Sequence, residues 1–209
     1  MQTVREAIQS GDVGALRRLL AQDPARANAL INWGPTCQIW TAPLHYVSDM
    51  IFDGTLEGTR ALPLIDALLD AGADVNFQKP DRGETALIGA ASLGAEAVGL
   101  RLLEAGADPH RLGLFGETAL HWASSMGKDR LVERLLEKGA SVDLPDRKYH
   151  ATPLGWALHG WSDAPRSSQA SYYDVVRRLV AAGASVDVSM ISETVRADPA
   201  MSSALTAKR

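Results

Sequence analysis

Any chemistry in this chain must come from a few scattered side chains. Cys37 and His45 are the types that make a thiolate–imidazole pair, but eight residues across a loop-to-helix junction fix no geometry between them. A lone cysteine in such a place reads as a small apolar residue. Asp49, Ser125 and His159 bring an acid, a hydroxyl and a base, and would form an acid–base site only if one surface gathered them. His159, Trp161 and Asp163 are a second set, with a base, a rigid ring and an acid close together in sequence. No H-E-x-x-H, paired C-x-x-C, G-x-x-x-x-G-K-[ST] or G-x-S-x-G run is present, so the usual zinc, phosphate and acyl-transfer motifs are missing. We therefore expect no cofactor, no metal and no catalytic set. The question moves to the elements that would position these residues.

Those elements recur. Gly83-Glu84-Thr85-Ala86-Leu87-Ile88-Gly89-Ala90 returns as Gly116-Glu117-Thr118-Ala119-Leu120-His121-Trp122-Ala123. Thr85 to Thr118 and Gly106 to Gly139 are both 33 residues apart. A fixed period of this size marks a stack of small units, each burying its apolar face on its neighbours. Ala42-Pro43-Leu44-His45, Thr85-Ala86-Leu87-Ile88, Thr118-Ala119-Leu120-His121 and Thr152-Pro153-Leu154-Gly155 open the units. Threonine as N-cap, with proline at the first helical position, is a good helix start. Gly-Ala closes each unit at Gly72, Gly106, Gly139 and Gly183, after an apolar helical segment. Glycine suits the left-handed exit of a helix. Each unit is predicted to be a helix, a turn, a second helix and a glycine exit.

These motifs, T-[AP]-L-[HIG]-x-A, a middle glycine (Gly94, Gly127) and L-L-x-x-G-A-[DS], make the chain resemble the ankyrin repeat family over roughly Thr41 to Asp187. The resemblance implies an all-α ankyrin-repeat solenoid of L-shaped units, whose inner helices and hairpin fingers form a concave groove. It also implies that His45 and His121 bond the backbone of the adjoining turn. On this reading the chain is a single domain over 1–209. Residues 1–24 are an N-terminal capping repeat, 25–40 an irregular link with Trp33, Cys37 and Trp40, 41–187 four repeats, and 188–209 a C-terminal helical cap.

Two repeats depart from the period. The middle pair spans 21 residues from opening threonine to closing glycine, whereas Ala42 to Gly72 spans 30 and Thr152 to Gly183 spans 31. The extra, turn-rich residues are expected between the two helices, at 51–59 and 161–170. Inserted loops either bind something or are tolerated surface.

Aligned units give columns. One inner-helix column reads Tyr46, Gly89, Trp122, Trp156; the next reads Asp49, Ser92, Ser125, His159; beside it run Met50, Leu93, Met126 and Gly160. Gly89 either leaves a slot between Tyr46 and Trp122 or makes room for rings that fill the space between helices. The fingers carry Asp81, Arg82, Glu84; Leu114, Phe115, Glu117; and Lys148, Tyr149, Ala151. Leu114 and Phe115 lack an obvious local core and suit a partner contact.

Composition narrows the classes. The 209 residues carry 21 Lys+Arg against 25 Asp+Glu, net −4, with no basic run long enough to track phosphates, so nucleic acid is not the expected partner. No 18-residue apolar span or signal-length apolar core occurs, which points to a cytoplasmic protein without membrane association. The single cysteine forms no internal disulfide. The expected function is a protein–protein interaction module, using Trp40, Asp49, Arg82, Leu114, Phe115, Met126, Lys148, Tyr149, His159 and Trp161. The alternative is a small-molecule binder or enzyme with an aromatic pocket at Tyr46, Trp122 and Trp156, which would suit a small apolar ligand.

Overall fold

The computed structural model describes residues 2–33, 39–79, 83–187 and 191–206. Cys37, Asp81 and Arg82 lie outside them. Among the described residues are twelve α-helices and one two-stranded antiparallel sheet. The chain divides into two compact units, Met1–Asp108 and Pro109–Arg209.

The first unit holds α1 (Val4–Ser10), α2 (Val13–Gln22), a 3₁₀ turn (Pro24–Ala27), β1 (Ile31–Trp33), β2 (Ile39–Thr41), α3 (Pro43–Phe52), α4 (Gly58–Asp70), α5 (Ala86–Ser92) and α6 (Glu96–Glu104). α3 packs between α1 and α5, and α4 between α2 and α6. The result is two rows of helices with the apolar core between them. The second unit holds α7 (Ala119–Ser125), α8 (Asp129–Glu137), α9 (Pro153–Asp163), a 3₁₀ turn (Arg166–Ser168), α10 (Ala170–Ala181), α11 (Glu193–Ala197) and α12 (Pro199–Leu205). α7, α9 and α11 form one row, and α8, α10 and α12 the other.

Local chemistry explains the elements. Thr85 Oγ1 accepts the Ile88 N–H (3.2 Å) and Thr152 Oγ1 the Gly155 N–H (3.4 Å), satisfying orphan donors of the first turn. At Thr118 the box is reciprocal, with His121 Nδ1 accepting the Thr118 N–H at 3.1 Å. The Gly-Ala exits are Schellman closures: Gly106 N–H donates to Leu103 O and Ala107 N–H to Leu102 O, and the pattern recurs at Gly139–Ala140 and Gly183–Ala184. Gly106 has φ +91°, which only glycine takes without strain. α8 shows the packing rule, with Leu131, Val132 and Leu135 inward and charges outward.

In the link at 25–40, β1 and β2 pair antiparallel, with Asn32 opposite Trp40. Two expectations are corrected. The extra residues at 51–59 and 161–170 do not form free loops between helices of standard length. They lengthen α3, α4, α9 and α10, leaving short turns such as 53–57. The physical reason is continuity of the apolar face, since Leu154, Ala157, Leu158 and Trp161 follow helical spacing and are all buried.

A ladder not anticipated from the sequence stitches the exit turns. Asn28 Nδ2 donates to Gly72 O (2.9 Å) while its Oδ1 accepts the Asp74 N–H (2.7 Å). Asn76 does the same to Gly106 O and Asp108 N–H, and Asp143 accepts the Ser185 N–H (2.9 Å). Each amide or carboxylate stands four residues after a closing glycine, or at the equivalent place, and satisfies backbone groups of the next turn.

Candidate functional site

In the first unit the predicted column is mostly core. Tyr46 is fully buried, and a Cβ placed on Gly89 would meet Glu84 Oε1 at 3.5 Å and His45 Cδ2 at 3.9 Å. A carboxylate and an imidazole thus stand at ordinary contact distance over Gly89. His45 Nε2 donates to Glu84 O (3.1 Å), the turn-bonding role the resemblance implied. Burial, helped by the Lys79 charge, holds its pKa down to about 3 against the pull of the Glu84 carbonyl, so it is a neutral structural ring. Asp49 is half-buried. Burial pushes its pKa up to about 6; Lys79 opposes this, and Glu84 and Asp53 add to it. Lys79 Nζ and Glu84 Oε2 pair at 2.9 Å. Trp40 stands 56% exposed on β2.

The second unit gathers most of the other predicted residues. Its two fingers run from 109 to 118 and from 143 to 152. Each finger contains a carboxylate turned inward. Glu117 is buried, and its Oε2 accepts the Phe115 N–H at 2.8 Å. Asp146 is 1% exposed. Its Oδ1 accepts the N–H of Lys148 (2.8 Å) and Tyr149 (2.6 Å), and its Oδ2 accepts the N–H of Ala151 (3.1 Å) and Nε1–H of Trp156 (3.0 Å). Burial raises the Asp146 pKa, but the donors from Tyr149, Trp156, Lys148 and Ala151 outweigh it, so the group lies below the ordinary carboxylate range. The fingers are joined where Arg147 N–H donates to Phe115 O (2.6 Å).

With the backbones held this way, the outer side chains project. Phe115 is 45% and Tyr149 63% exposed, Leu114 and Met126 are exposed too, and Lys148 Nζ lies 4.8 Å from the centroids of both the Phe115 and Tyr149 rings. This is a cation–π sandwich, worth roughly 0.5–1 kcal/mol per ring at an exposed site. Behind it, Trp122 and Trp156 meet edge-on at 4.9 Å and 81°, with Tyr149 6.4 Å from Trp156. The three rings, with Ser125, Ala151, Gly155 and His159, line a hollow of about 360 Å³. A second hollow of about 540 Å³ shares Tyr149, Ala151, Gly155 and His159, and continues to Asp163, Ser192 and Val195. Shared walls make the two a trough along α9.

His159 is exposed, and its Nδ1 lies 3.2 Å from Asp163 Oδ2. Solvent screens so exposed a pair. Trp161 does not join them. It is 3% exposed and contacts Tyr173, because it extends the inward face of α9. Trp161 therefore belongs to the core, a correction to its expected place on the surface. Ser125 and His159 share the first hollow, whereas Asp49 belongs to the other unit. His121 is buried beneath Trp156 at 5.5 Å; burial lowers its pKa, opposed by the Leu144 carbonyl, Asp146 and the Ala151 carbonyl. Sequence reasoning missed Asp146. The signal available was an aspartate opening a turn, where its carboxylate caps nearby N–H groups.

Helix hairpins in paired rows, with an aromatic trough beside the loops of the second unit, define a helical-repeat fold. The family model for ankyrin repeats, three copies, matches residues 55–146 and 100–190. The chain belongs to the ankyrin repeat family, whose repeats are in general protein-interaction modules. No curated protein matches the sequence. No helix among the described residues is long and apolar enough to cross a membrane.

Proposed function

We propose that this protein is an interaction module that receives a segment of a partner protein on the finger-and-trough face of its second unit. The observation that carries the reading is the apolar cluster of Leu114, Phe115 and Tyr149 standing in solvent beside the Trp122–Trp156 hollow. Exposed apolar area of this kind costs solubility unless something covers it. The hollow suits one bulky apolar side chain, and large rings on a fixed backbone lose little entropy on binding. Met126 and His159 flank this face, and Trp40 and Asp49 remain candidates in the first unit. Arg82, outside the described residues, remains a candidate by sequence.

The second reading, a small apolar ligand, draws on the volume of the first hollow, which falls within the usual range for ligand sites. The open continuation past His159 favours an extended segment instead.

The test is selection from a displayed library of random peptides on the immobilised full chain. Peptides enriched on the wild type should bind Phe115→Ala/Tyr149→Ala at least tenfold more weakly. They should bind Phe52→Ala, an exposed ring of the first unit, unchanged. Phe52→Ala should melt close to wild type, and the finger variant no more than about 2–8 °C below it, since it loses only two exposed cation–π contacts and no core. Equal binding by the finger variant would refute the reading. A soluble aromatic fragment that shifts the Trp122 and Trp156 indole resonances, with no peptide enriched, would favour the small ligand.

A further inference from the structure

Resting on the reading above, we infer that the segment received is acidic, with Asp or Glu beside one bulky apolar anchor. The argument is a local inversion of charge. The whole chain is net −4, yet the exposed charges at the end of the second finger are cations. Arg147 and Lys148 are exposed, and no described carboxylate pairs with either. The fingers do contain carboxylates, Glu117 and Asp146, but both are buried and accept N–H groups of their own loops. Their charge is spent inside on the turn geometry, while Lys148 stays outside, held over two rings at 4.8 Å.

An ammonium fixed over aromatic faces has already lost much of its rotamer freedom. It therefore gives up less on pairing with an incoming carboxylate than a free lysine would. The adjoining hollow gives the anchor its place, with Trp122, Trp156 and Tyr149 as walls. Asp163 lines only the second hollow and is engaged by His159. The acidic residues should therefore lie on the Lys148 side of the anchor, with neutral or basic residues toward Asp163. A basic or neutral segment would gain the hollow alone. Electrostatic matching at such a rim acts mainly on encounter rate and selectivity.

The experiment runs the same random-peptide selection on wild type and on Arg147→Glu/Lys148→Glu. Both positions are exposed, and a cooperative melt no more than about 2–8 °C below wild type, the loss expected of two cation–π contacts, checks the fold. Peptides enriched on wild type should show an excess of Asp and Glu to one side of a Trp, Phe or Leu. The best of them, made synthetically, should bind the charge-reversed protein at least tenfold more weakly. It should also lose several-fold affinity between 50 and 300 mM salt, by roughly the screening expected of exposed charges. The reversed protein should enrich Lys- and Arg-bearing peptides. Enriched peptides without an acidic excess, still lost on Phe115→Ala/Tyr149→Ala, would overturn this inference and leave the interaction face standing. No enriched peptide at all would sink both. A 15-nucleotide poly-uridine RNA bound more tightly than the acidic peptides, in a manner lost on charge reversal, would overturn the choice of occupant.

Discussion

Replacing Asp146 with asparagine tests the core of the structural argument, because it changes charge and donor pattern while keeping shape. The carboxylate accepts four N–H groups, two on each oxygen. An amide offers one acceptor oxygen. Whichever way it turns, two donors face an NH₂ group. Hydrogen bonds to an ionised acceptor contribute roughly 1.5–3 kcal/mol each, so the ceiling is roughly 3–6 kcal/mol. The amide should keep its oxygen on the shorter pair, Lys148 and Tyr149, and release Ala151 and the Trp156 indole. Relaxation of the projecting finger then leaves a cost of about 2–3 kcal/mol, or about 4–12 °C in melting temperature for a chain of this size. The local signature matters more than the melt. The Trp156 indole N–H should move toward its free shift and exchange faster, as should the Ala151 amide.

The pH dependence has a fixed sign. The folded pKa of Asp146 lies below the ordinary value, so the unfolded chain takes up its proton first. The stabilisation is complete above about pH 4 and is lost as pH falls through the folded pKa. Wild type and Asp146→Asn should therefore converge in stability as pH falls below the ordinary carboxylate range. Melting within 1 °C of wild type at pH 7, with an unmoved Trp156 indole, would refute this account of the finger.

Two further outcomes follow from the packing. A Cβ on Gly160 would lie 2.1 Å from the Ser125 carbonyl oxygen, so Gly160→Ala must part α7 and α9 and should cost about 1–3 kcal/mol or more in chemical denaturation. Gly89→Ala should be neutral or stabilising by about 0.5–1 kcal/mol, because its nearest contact would be an ordinary 3.5 Å; equal behaviour of the two would show that the α7–α9 crossing is looser than described. Asp49→Asn should stabilise at pH 7 by up to about 3 kcal/mol, since the folded state holds the carboxyl pKa near 6. The gain should fade as pH drops from 6 to 4, where wild-type Asp49 takes up its proton in the fold; a gain that persists at pH 4 would refute the burial argument.

The fold was legible where one residue type answers one backbone need. Thr85, Thr118 and Thr152 cap helices, and Gly106, Gly139 and Gly183 close them, and these residues repeat because the needs repeat. The lengthened helices were less legible. Gly54, Gly58, Ser162 and Asp163 suggest turns when read singly, whereas the spacing of Leu158 and Trp161 carries α9 onward. Tertiary burial of an apolar face overrides weak local signals. The exposed Leu114, Phe115 and Tyr149 were legible because nothing near them in sequence offered cover. Trp161 was misplaced for the converse reason, since its cover comes from Tyr173 on a later helix. Asn28, Asn76 and Asp143 carry a ladder whose partners are the next unit's backbone, and a side-chain census does not reveal backbone partners.

Asp146 also joins stability to recognition, and this constrains how any variant is interpreted. It sets the turn that presents Tyr149, and it holds the indole of Trp156, a wall of the hollow. A weakened finger would lose binding through misplaced rings even with every contact side chain intact, because a preorganised surface loses affinity when it must be ordered anew. Loss of binding in Asp146→Asn therefore says nothing about charge complementarity. Arg147→Glu/Lys148→Glu does, since only the backbone N–H groups of these residues serve the hydrogen-bonded turn, and a gain of Lys- and Arg-bearing peptides is an outcome that misplaced rings would not give. The fingers can be cationic on an acidic protein for the same reason: their carboxylates fold the loop from within, so the charge left for a partner is the lysine and arginine beside them.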